Sequence, residues 1–125
     1  MRLLIDTHIY LWSIMQDRRL SNDARGLLSQ ADEVYVSSAS IWELSIKASR
    51  GKLEPHVEEF VMQIRQSGFH ELEVRYEHAF VARDLPFLHS DPFDRMLVAQ
   101  AASELMRFLT ADRMLADYHP CGIPV

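Results

Sequence analysis

Four acidic residues that are far apart in the chain stand where predicted structural elements begin or end. Asp6 directly follows the first apolar run, Asp112 follows a later one, and Glu43 and Asp94 fall in the first turns of predicted helices. Carboxylates gathered in one place repel each other unless some are protonated or a cation lies among them. Neither cysteine nor paired histidine accompanies them, so the oxygen ligands favour Mg²⁺ or Mn²⁺ over zinc. Such an ion polarises a phosphoryl oxygen and activates a water, as phosphodiester hydrolysis requires.

Each acid also has a purely structural interpretation. Asp6 and Asp112 are of the residue type that caps the N-terminus of a following helix. Ser40 and Glu43 have the spacing of a capping box, in which Glu43 would only bind the backbone at Ser40. Glu43 is also spaced to pair with Lys47 one turn later. Taken one at a time, the acids do not distinguish capping from catalysis, and their common placement favours a shared site.

The segment from Asp91 to Arg95 separates a capping acid from a candidate ligand. Pro92 suits the first helical position, which makes Asp91 the natural N-cap. Asp94 is in line with the apolar stripe that should face the sheet, made of Leu97, Val98, Ala101 and Leu105. A carboxylate on an inward face costs several kcal/mol unless it is compensated, and an exposed helix N-terminus supplies only about 0.3–1 kcal/mol. The spacing therefore favours Asp94 as a metal ligand.

The elements that position these acids alternate between strands and helices. The predicted strands are Arg2–Ile5, Glu33–Ser37, His70–Val74, Phe108–Thr110 and Gly122–Val125. The predicted helices are one through Ile9–Met15, one opening at Ser21–Asp23, Ile41–Arg50, one through Val57–Ile64, Glu77–Asp84 and Pro92–Met106. This alternation predicts an α/β fold with a central parallel sheet and helices on both faces. Sites in such folds form at the carboxyl ends of the strands, where all four acids are expected.

Length, charge and cysteine content narrow the class of protein. The 125 residues, 48% of them hydrophobic, predict a single domain over residues 1–125. The formal net charge of −5 argues against a simple nucleic-acid-binding module, although a nuclease with a carboxylate cluster can be acidic. We expect neither a signal peptide nor a membrane span. The single Cys121 excludes an internal disulfide, which favours a cytoplasmic protein.

Four motifs together resemble a known family. They are Ile5-Asp6-Thr7, Ser38-Ala39-Ser40-Ile41-Trp42-Glu43, the block from Asp91 to Ala101, and Leu109-Thr110-Ala111-Asp112. In order and spacing they resemble PIN-domain proteins, specifically the VapC-like toxins of bacterial and archaeal toxin–antitoxin systems. The resemblance covers nearly the whole chain, and the block from Asp91 to Ala101 is its most specific part.

The resemblance implies a role for each acid. Asp6 and Asp94 would bind metal directly, Glu43 would bind the metal or its water, and Asp112 would hold a second ion or orient water. Hydroxyl groups near the site would come from Thr7, Ser38 and Thr110. The family further implies an endoribonuclease that depends on Mg²⁺ or Mn²⁺, a homodimer, RNA as substrate, and inhibition by a small antitoxin that covers the site.

Other conspicuous residues have weaker interpretations. The six histidines lack metal-ligand spacing, so surface or structural roles are expected of His8, His56, His70, His78, His89 and His119. Basic residues near the motifs are more typical of solvated helix faces than of RNA contacts, namely Lys47, Arg50, Lys52, Arg95 and Arg113. Large aromatic residues near the motifs are predicted to lie in the core rather than to stack on bases, namely Trp12, Trp42 and Phe93.

Three alternative functions are compared with a nuclease. A phospho-receiver domain needs an acidic pair near the first strand and a late lysine, but the chain from His89 to Val125 contains no lysine. A haloacid-dehalogenase-type phosphatase needs Asp-x-Asp, where this chain has Asp6-Thr7-His8. A PIN-like interaction domain without catalysis stays open, and the presence of all four acids argues against it.

Overall fold

The fold is an alternation of strands and short helices. A computed structural model describes residues 1–51, 57–87 and 90–125. Within these ranges the strands are β1 Arg2–Ile5, β2 Glu33–Ser37, β3 His70–Leu72, β4 Arg107–Thr110 and β5 Gly122–Pro124. The helices are α1 Thr7–Met15, α2 Asn22–Gln30, α3 Ser38–Ser49, α4 Val57–Gln66, α5 Tyr76–Asp84, α6 Pro92–Ser103 and α7 Arg113–Ala116. The predicted α/β class is confirmed.

The five strands form one parallel sheet in the order β3-β2-β1-β4-β5. Strand β1 lies at the centre, with Ile5 paired to Val36 on one side and to Leu109 on the other. The chain passes from β1 through β2 to β3 at one edge of the sheet. It then returns to β4, on the other side of β1, and continues to β5 at the opposite edge. The point at which the strand order reverses therefore lies between β1 and β4, where α/β sheets form crevices at their carboxyl edge.

Strand β1 contributes apolar side chains to both faces of the sheet. Leu3 and Ile5 belong to one core cluster, whereas Leu4 belongs to a second cluster with Leu97 and Phe108. All five side chains are fully buried, each contributing about 1.5–3 kcal/mol to stability. The continuous apolar run in β1 is thus explained, because a central parallel strand is covered by helices on both sides.

Helix α6 is shorter than the apolar spacing predicts. It ends at Ser103, and Leu105 adopts a left-handed conformation with φ of 56° while remaining 88% exposed. The Met106 amide donates to the Ala101 carbonyl at 2.9 Å, which closes the helix before the chain enters β4. The prediction that Leu105 continues the inward stripe is wrong, because the chain must reverse there to reach the sheet.

Helix α3 begins earlier than predicted. The Ser37 hydroxyl caps it by accepting from the Ala39 amide at 3.0 Å, so Glu43 lies in the second turn rather than the first. The predicted capping box between Ser40 and Glu43 is therefore wrong. Gly51 ends the helix as predicted, with φ of 70°.

Most other predicted boundaries differ from the structure by one or two residues, and β3 ends at Leu72 rather than at Val74. The predictions for Lys52, His56 and His89 lie outside the described residues. Among the helices in the described ranges, the structure contains none with the length and apolar character that crossing a membrane requires.

Candidate active site

A cavity of about 250 Å³ opens at the carboxyl edge of the sheet. It is lined by Asp6, Thr7, His8, Glu43, Lys47, Asp91, Asp94, Asp112 and Leu115. The structure thus brings together the four acids predicted as site residues and adds a fifth. They come from the ends of β1 and β4 and from the N-terminal halves of α3 and α6. Parallel strands place these parts of the chain at one edge, which explains the convergence.

Asp6 caps a helix and lines the cavity with the same carboxylate. One oxygen, Oδ1, accepts from the Ile9 amide at 2.8 Å, and Oδ2 accepts from the Thr110 hydroxyl at 2.5 Å. The side chain is buried, with 6% of the residue exposed. Burial raises the pKa of Asp6, as does the charge of Asp94, while the hydrogen bonds from Thr110 and Ile9 and the charge of His8 lower it. Capping and site formation are therefore not exclusive roles for this residue.

Glu43 is held by a hydroxyl from α1 and an ammonium from its own helix. Its Oε1 accepts from the Thr7 hydroxyl at 2.8 Å, and its Oε2 lies 3.4 Å from Lys47 Nζ. Thr7 Oγ1 also lies 3.0 Å from Ser40 Oγ. Because a hydroxyl has one proton and a carboxylate only accepts, Thr7 donates to Glu43 and can accept from Ser40. The predicted pairing of Glu43 with Lys47 is confirmed.

Thr110 connects the acids of two strands. Its Oγ1 accepts from the Asp112 amide at 3.1 Å while its hydroxyl proton goes to Asp6. Asp112 in turn caps α7 by accepting from the Leu115 amide at 3.2 Å, with the rest of its side chain exposed. A fully buried hydroxyl therefore positions Asp6 and Asp112 relative to each other.

The first turn of α6 has the geometry predicted from the Asp91–Arg95 segment. Asp91 Oδ1 accepts from the amides of Phe93 at 2.8 Å and Asp94 at 3.2 Å, which confirms Asp91 as the N-cap. Asp94 is half-buried in the cavity wall. Arg95 points elsewhere, because its guanidinium donates to the carbonyls of Pro86 and Ala82. These bonds give Arg95 a structural role, in which it joins α6 to the end of α5 and the residues after it.

Among the aromatic and histidine positions considered from the sequence, Trp42 differs from its interpretation. Trp42 is 64% exposed and packs edge-to-face on Phe93 at a ring distance of 5.2 Å, so the prediction of a core position is wrong for Trp42. His78 is fully buried, with Nε2 2.9 Å from Glu104, in the structural role expected. His8 lines the cavity, a position that its place directly after the first strand could have indicated.

The donor chemistry of the cavity fits a hydrated hard cation. Five carboxylates face one lysine and one histidine, so the cavity is strongly acidic. Within residues 1–51, 57–87 and 90–125, no three histidine, cysteine or acidic side chains are already arranged to hold one metal ion together. Mg²⁺ keeps several of its waters and commonly binds proteins through only one or two carboxylates. A cation of this kind would also relieve the repulsion that Asp94 exerts on Asp6.

Comparisons with known proteins place this chain in a family. A family model for the PIN domain matches residues 3–119. The chain belongs to the PIN-domain family. It is 28% identical over 127 residues to Ribonuclease VapC22 of Mycobacterium tuberculosis, and the alignment covers 98% of this chain and 97% of that protein. The resemblance inferred from the four motifs is confirmed at the level of the family, and the phospho-receiver and dehalogenase alternatives are wrong.

Solved structures share the fold of this PIN domain. VapBC2 from Rickettsia felis, bound to a DNA fragment from its promoter, superposes with a TM-score of 0.74 at 18% identity, covering 100% of this chain and 98% of that one. DNA-bound VapBC from Salmonella typhimurium gives a TM-score of 0.70 at 16% identity, with 99% and 96% covered. At this identity the structural likeness establishes the fold.

Proposed function

We propose that this PIN domain is a metal-dependent endoribonuclease and the toxin component of a toxin–antitoxin pair. The observation that carries the proposal is the convergence of Asp6, Glu43, Asp94 and Asp112, which are distant in sequence, in one acidic cavity. The relative that covers nearly the whole chain is named a ribonuclease. A cluster of carboxylates at the carboxyl edge of a parallel sheet is well suited to phosphodiester hydrolysis.

The four acids have different proposed roles in binding the metal ion and the attacking water. We propose Asp6 and Asp94 as direct ligands of Mg²⁺ or Mn²⁺, with Glu43 binding the metal or its water and Asp112 holding a second ion or orienting the water. The ion, when bound, supplies the charge that polarises the phosphoryl oxygen and lowers the pKa of a water. The hydroxyl of Thr7 holds Glu43, as that of Thr110 holds Asp6, so the carboxylates need little reorganisation when a cation and substrate arrive.

The proposed partners are RNA, a small antitoxin protein and a second copy of the chain. Support for the antitoxin comes from the proteins of similar fold, which include a toxin–antitoxin complex from Klebsiella pneumoniae with a TM-score of 0.67 at 17% identity. The VapBC structures from Rickettsia felis and Salmonella typhimurium contain DNA. We expect the antitoxin of this chain to cover the acidic cavity and so prevent cleavage.

A cleavage assay with matched variants tests the nuclease. Purified protein is incubated with single-stranded and structured RNAs in Mg²⁺ or Mn²⁺, and we expect cleavage that EDTA abolishes. Asp94→Asn should remove cleavage without unfolding the protein, because it keeps the shape and removes the charge that the cation requires. Asp91→Asn is the matched control, since asparagine caps helices about as well as aspartate. Undiminished cleavage in EDTA, or a dead Asp91→Asn with an active Asp94→Asn, would contradict the assignment.

A growth assay tests the toxin role separately. Induction of the chain alone in its host should arrest growth, and co-expression of an antitoxin from a neighbouring reading frame should restore it. Asp6→Ala should be harmless, because it removes a proposed ligand while the remaining protein surface is retained. Growth arrest by Asp6→Ala as strong as that caused by the unaltered chain would show that toxicity does not depend on cleavage.

A further inference from the structure

Aromatic and cationic groups lie side by side on α1 and on the turn that follows it, beginning at the acidic cavity. His8 lines the cavity, and its ring lies 5.9 Å from the ring of Trp12, one helical turn along α1. The guanidinium carbon of Arg19 lies 5.3 Å from the centre of the Trp12 ring. Trp12 is half-buried, whereas His8 and Arg19 are exposed. The half-buried indole thus supports two exposed planar groups, one of them beside the cavity.

The turn between α1 and α2 is locally basic in an acidic protein. Residues 16–25 contain Arg18, Arg19 and Arg25 against two aspartates, while the whole chain has a formal net charge of −5. Arg19 pairs with Asp17 at 2.7 Å, and Arg25 donates to the Asp17 carbonyl at 3.0 Å. The Arg19 guanidinium makes two bonds to the Asp17 carboxylate, from Nε at 3.1 Å and from Nη2 at 2.7 Å, and both lie at the surface, where solvent and salt screen the pair and a phosphate can take the place of the carboxylate. Arg18 is exposed as well.

The acidic cavity cannot by itself bind the RNA on either side of the cleaved bond, whereas the basic and aromatic residues around α1 can. Five carboxylates repel the phosphates of RNA everywhere except where a cation lies, so affinity for the flanking nucleotides must come from another part of the protein. Proteins that hold single strands combine cationic side chains for the phosphates with planar groups on which bases stack, and histidine and arginine serve as such planes. Helix α1 spans about 13.5 Å, which places the basic turn within reach of nucleotides next to the cleaved bond.

We propose that His8, Trp12, Arg18 and Arg19, together called the α1 surface, bind the single-stranded RNA segment that flanks the cleaved phosphodiester. Bases stack on the exposed planes of His8 and Arg19, which Trp12 holds in position, and the arginines contact phosphates. The inference rests on the proposed nuclease function and adds to it a preference for unpaired RNA. Stacking on the face of a base does not distinguish one base from another. The α1 surface therefore selects for unpaired RNA rather than for a particular sequence.

The test measures RNA affinity in the full-length Asp94→Asn protein, which holds RNA without cutting it. A fluorescent single-stranded oligonucleotide is titrated over a series of salt concentrations. Arg18→Gln with Arg19→Gln should weaken binding about tenfold and reduce the salt slope by about 0.7 for each lost phosphate contact. Trp12→Leu should weaken binding about tenfold, and Trp12→Phe should restore most of it. In the cleaving protein the same changes should raise KM and leave kcat nearly unchanged.

The matched control is Arg83→Gln on α5. Arg83 is exposed and has the same two kinds of partner as Arg19, since it pairs with Asp84 at 2.9 Å and lies 5.8 Å from the centre of the Phe80 ring. None of the described residues of α5 lines the acidic cavity. Arg83→Gln should therefore bind RNA as the parent does, and equal RNA affinity for all variants and the control would overturn the inference. So would variants that keep RNA affinity and lose only binding of the antitoxin.

The proposed function and this inference fail in different ways. If the unaltered protein cuts no RNA in Mg²⁺ or Mn²⁺, the nuclease proposal is wrong. If it cuts RNA and the Arg18 and Arg19 changes alter neither KM nor salt slope, only the α1 surface is wrongly assigned. Thermal unfolding of each variant distinguishes a lost contact from a lost fold.

Discussion

Asp6→Asn should stabilise the metal-free protein while it abolishes the proposed activity. In the metal-free protein the ionised carboxylate of Asp6 is buried, which costs several kcal/mol. The hydrogen bonds from Ile9 and Thr110 offset this cost only in part. Asparagine keeps the shape, and its Oδ1 can still accept from Ile9, but its Nδ2 would donate to Thr110 Oγ1 instead of accepting from it, so about 1 kcal/mol is lost at each of the two contacts. The balance is a gain of about 1–2 kcal/mol in the free energy of unfolding, or roughly 4–8 °C in Tm.

The pH dependence of this gain follows from the direction of the pKa shift. Burial raises the pKa of Asp6 above its ordinary value of 3.8, so the native state binds more protons than the unfolded state between 3.8 and the raised pKa. Stability of the unaltered protein therefore falls as pH rises through that window. Asp6→Asn does not titrate, so its advantage should be full above the raised pKa and should shrink as pH falls through it toward 3.8.

Thermal unfolding in EDTA, and again in Mn²⁺, measures both parts of the prediction. Mn²⁺ should stabilise the unaltered protein, by about 2.7 kcal/mol at a hundred times its Kd, and should stabilise Asp6→Asn much less. Asp91→Asn is a control in which a capping acid is replaced without removal of a proposed ligand. A metal-free Asp6→Asn that is less stable than the unaltered protein at pH 7 would refute the reasoning, because capping would then outweigh the cost of the buried charge.

Three further changes test single features of the structure. Thr7→Val removes the hydroxyl that holds Glu43, and RNA cleavage rates should fall at least tenfold with about 1 kcal/mol lost in urea unfolding. Leu105→Gly relieves a left-handed conformation on an exposed side chain, so denaturation should show a gain of about 0.5–1 kcal/mol, and a loss would contradict the assigned strain. Gly122→Ala would drive a Cβ into the backbone of Ala116, and a Tm within 2 °C of the parent would contradict this predicted clash.

The α/β class, the family and the positions of the candidate acids could be predicted from the sequence. These depend on signals that are local in the chain, such as the apolar run before Asp6 and the proline that makes Asp91 an N-cap. Parallel strands bring their carboxyl ends to one edge of the sheet. The sequence alone therefore predicts that Asp6, Asp94 and Asp112 lie close together. The roles of these acids in catalysis stay a prediction.

The balance between capping and site formation was decided only by the tertiary structure. Spacing along the chain could not show that Asp6 uses its two oxygens for two purposes, because Thr110 comes from a strand more than a hundred residues away. Trp42 and Leu105 were misplaced for the same reason, since helical periodicity shows which residues share a face and not what covers that face. Burial and the pKa of Asp6 depend on packing between distant segments, which exists only once the sheet has formed.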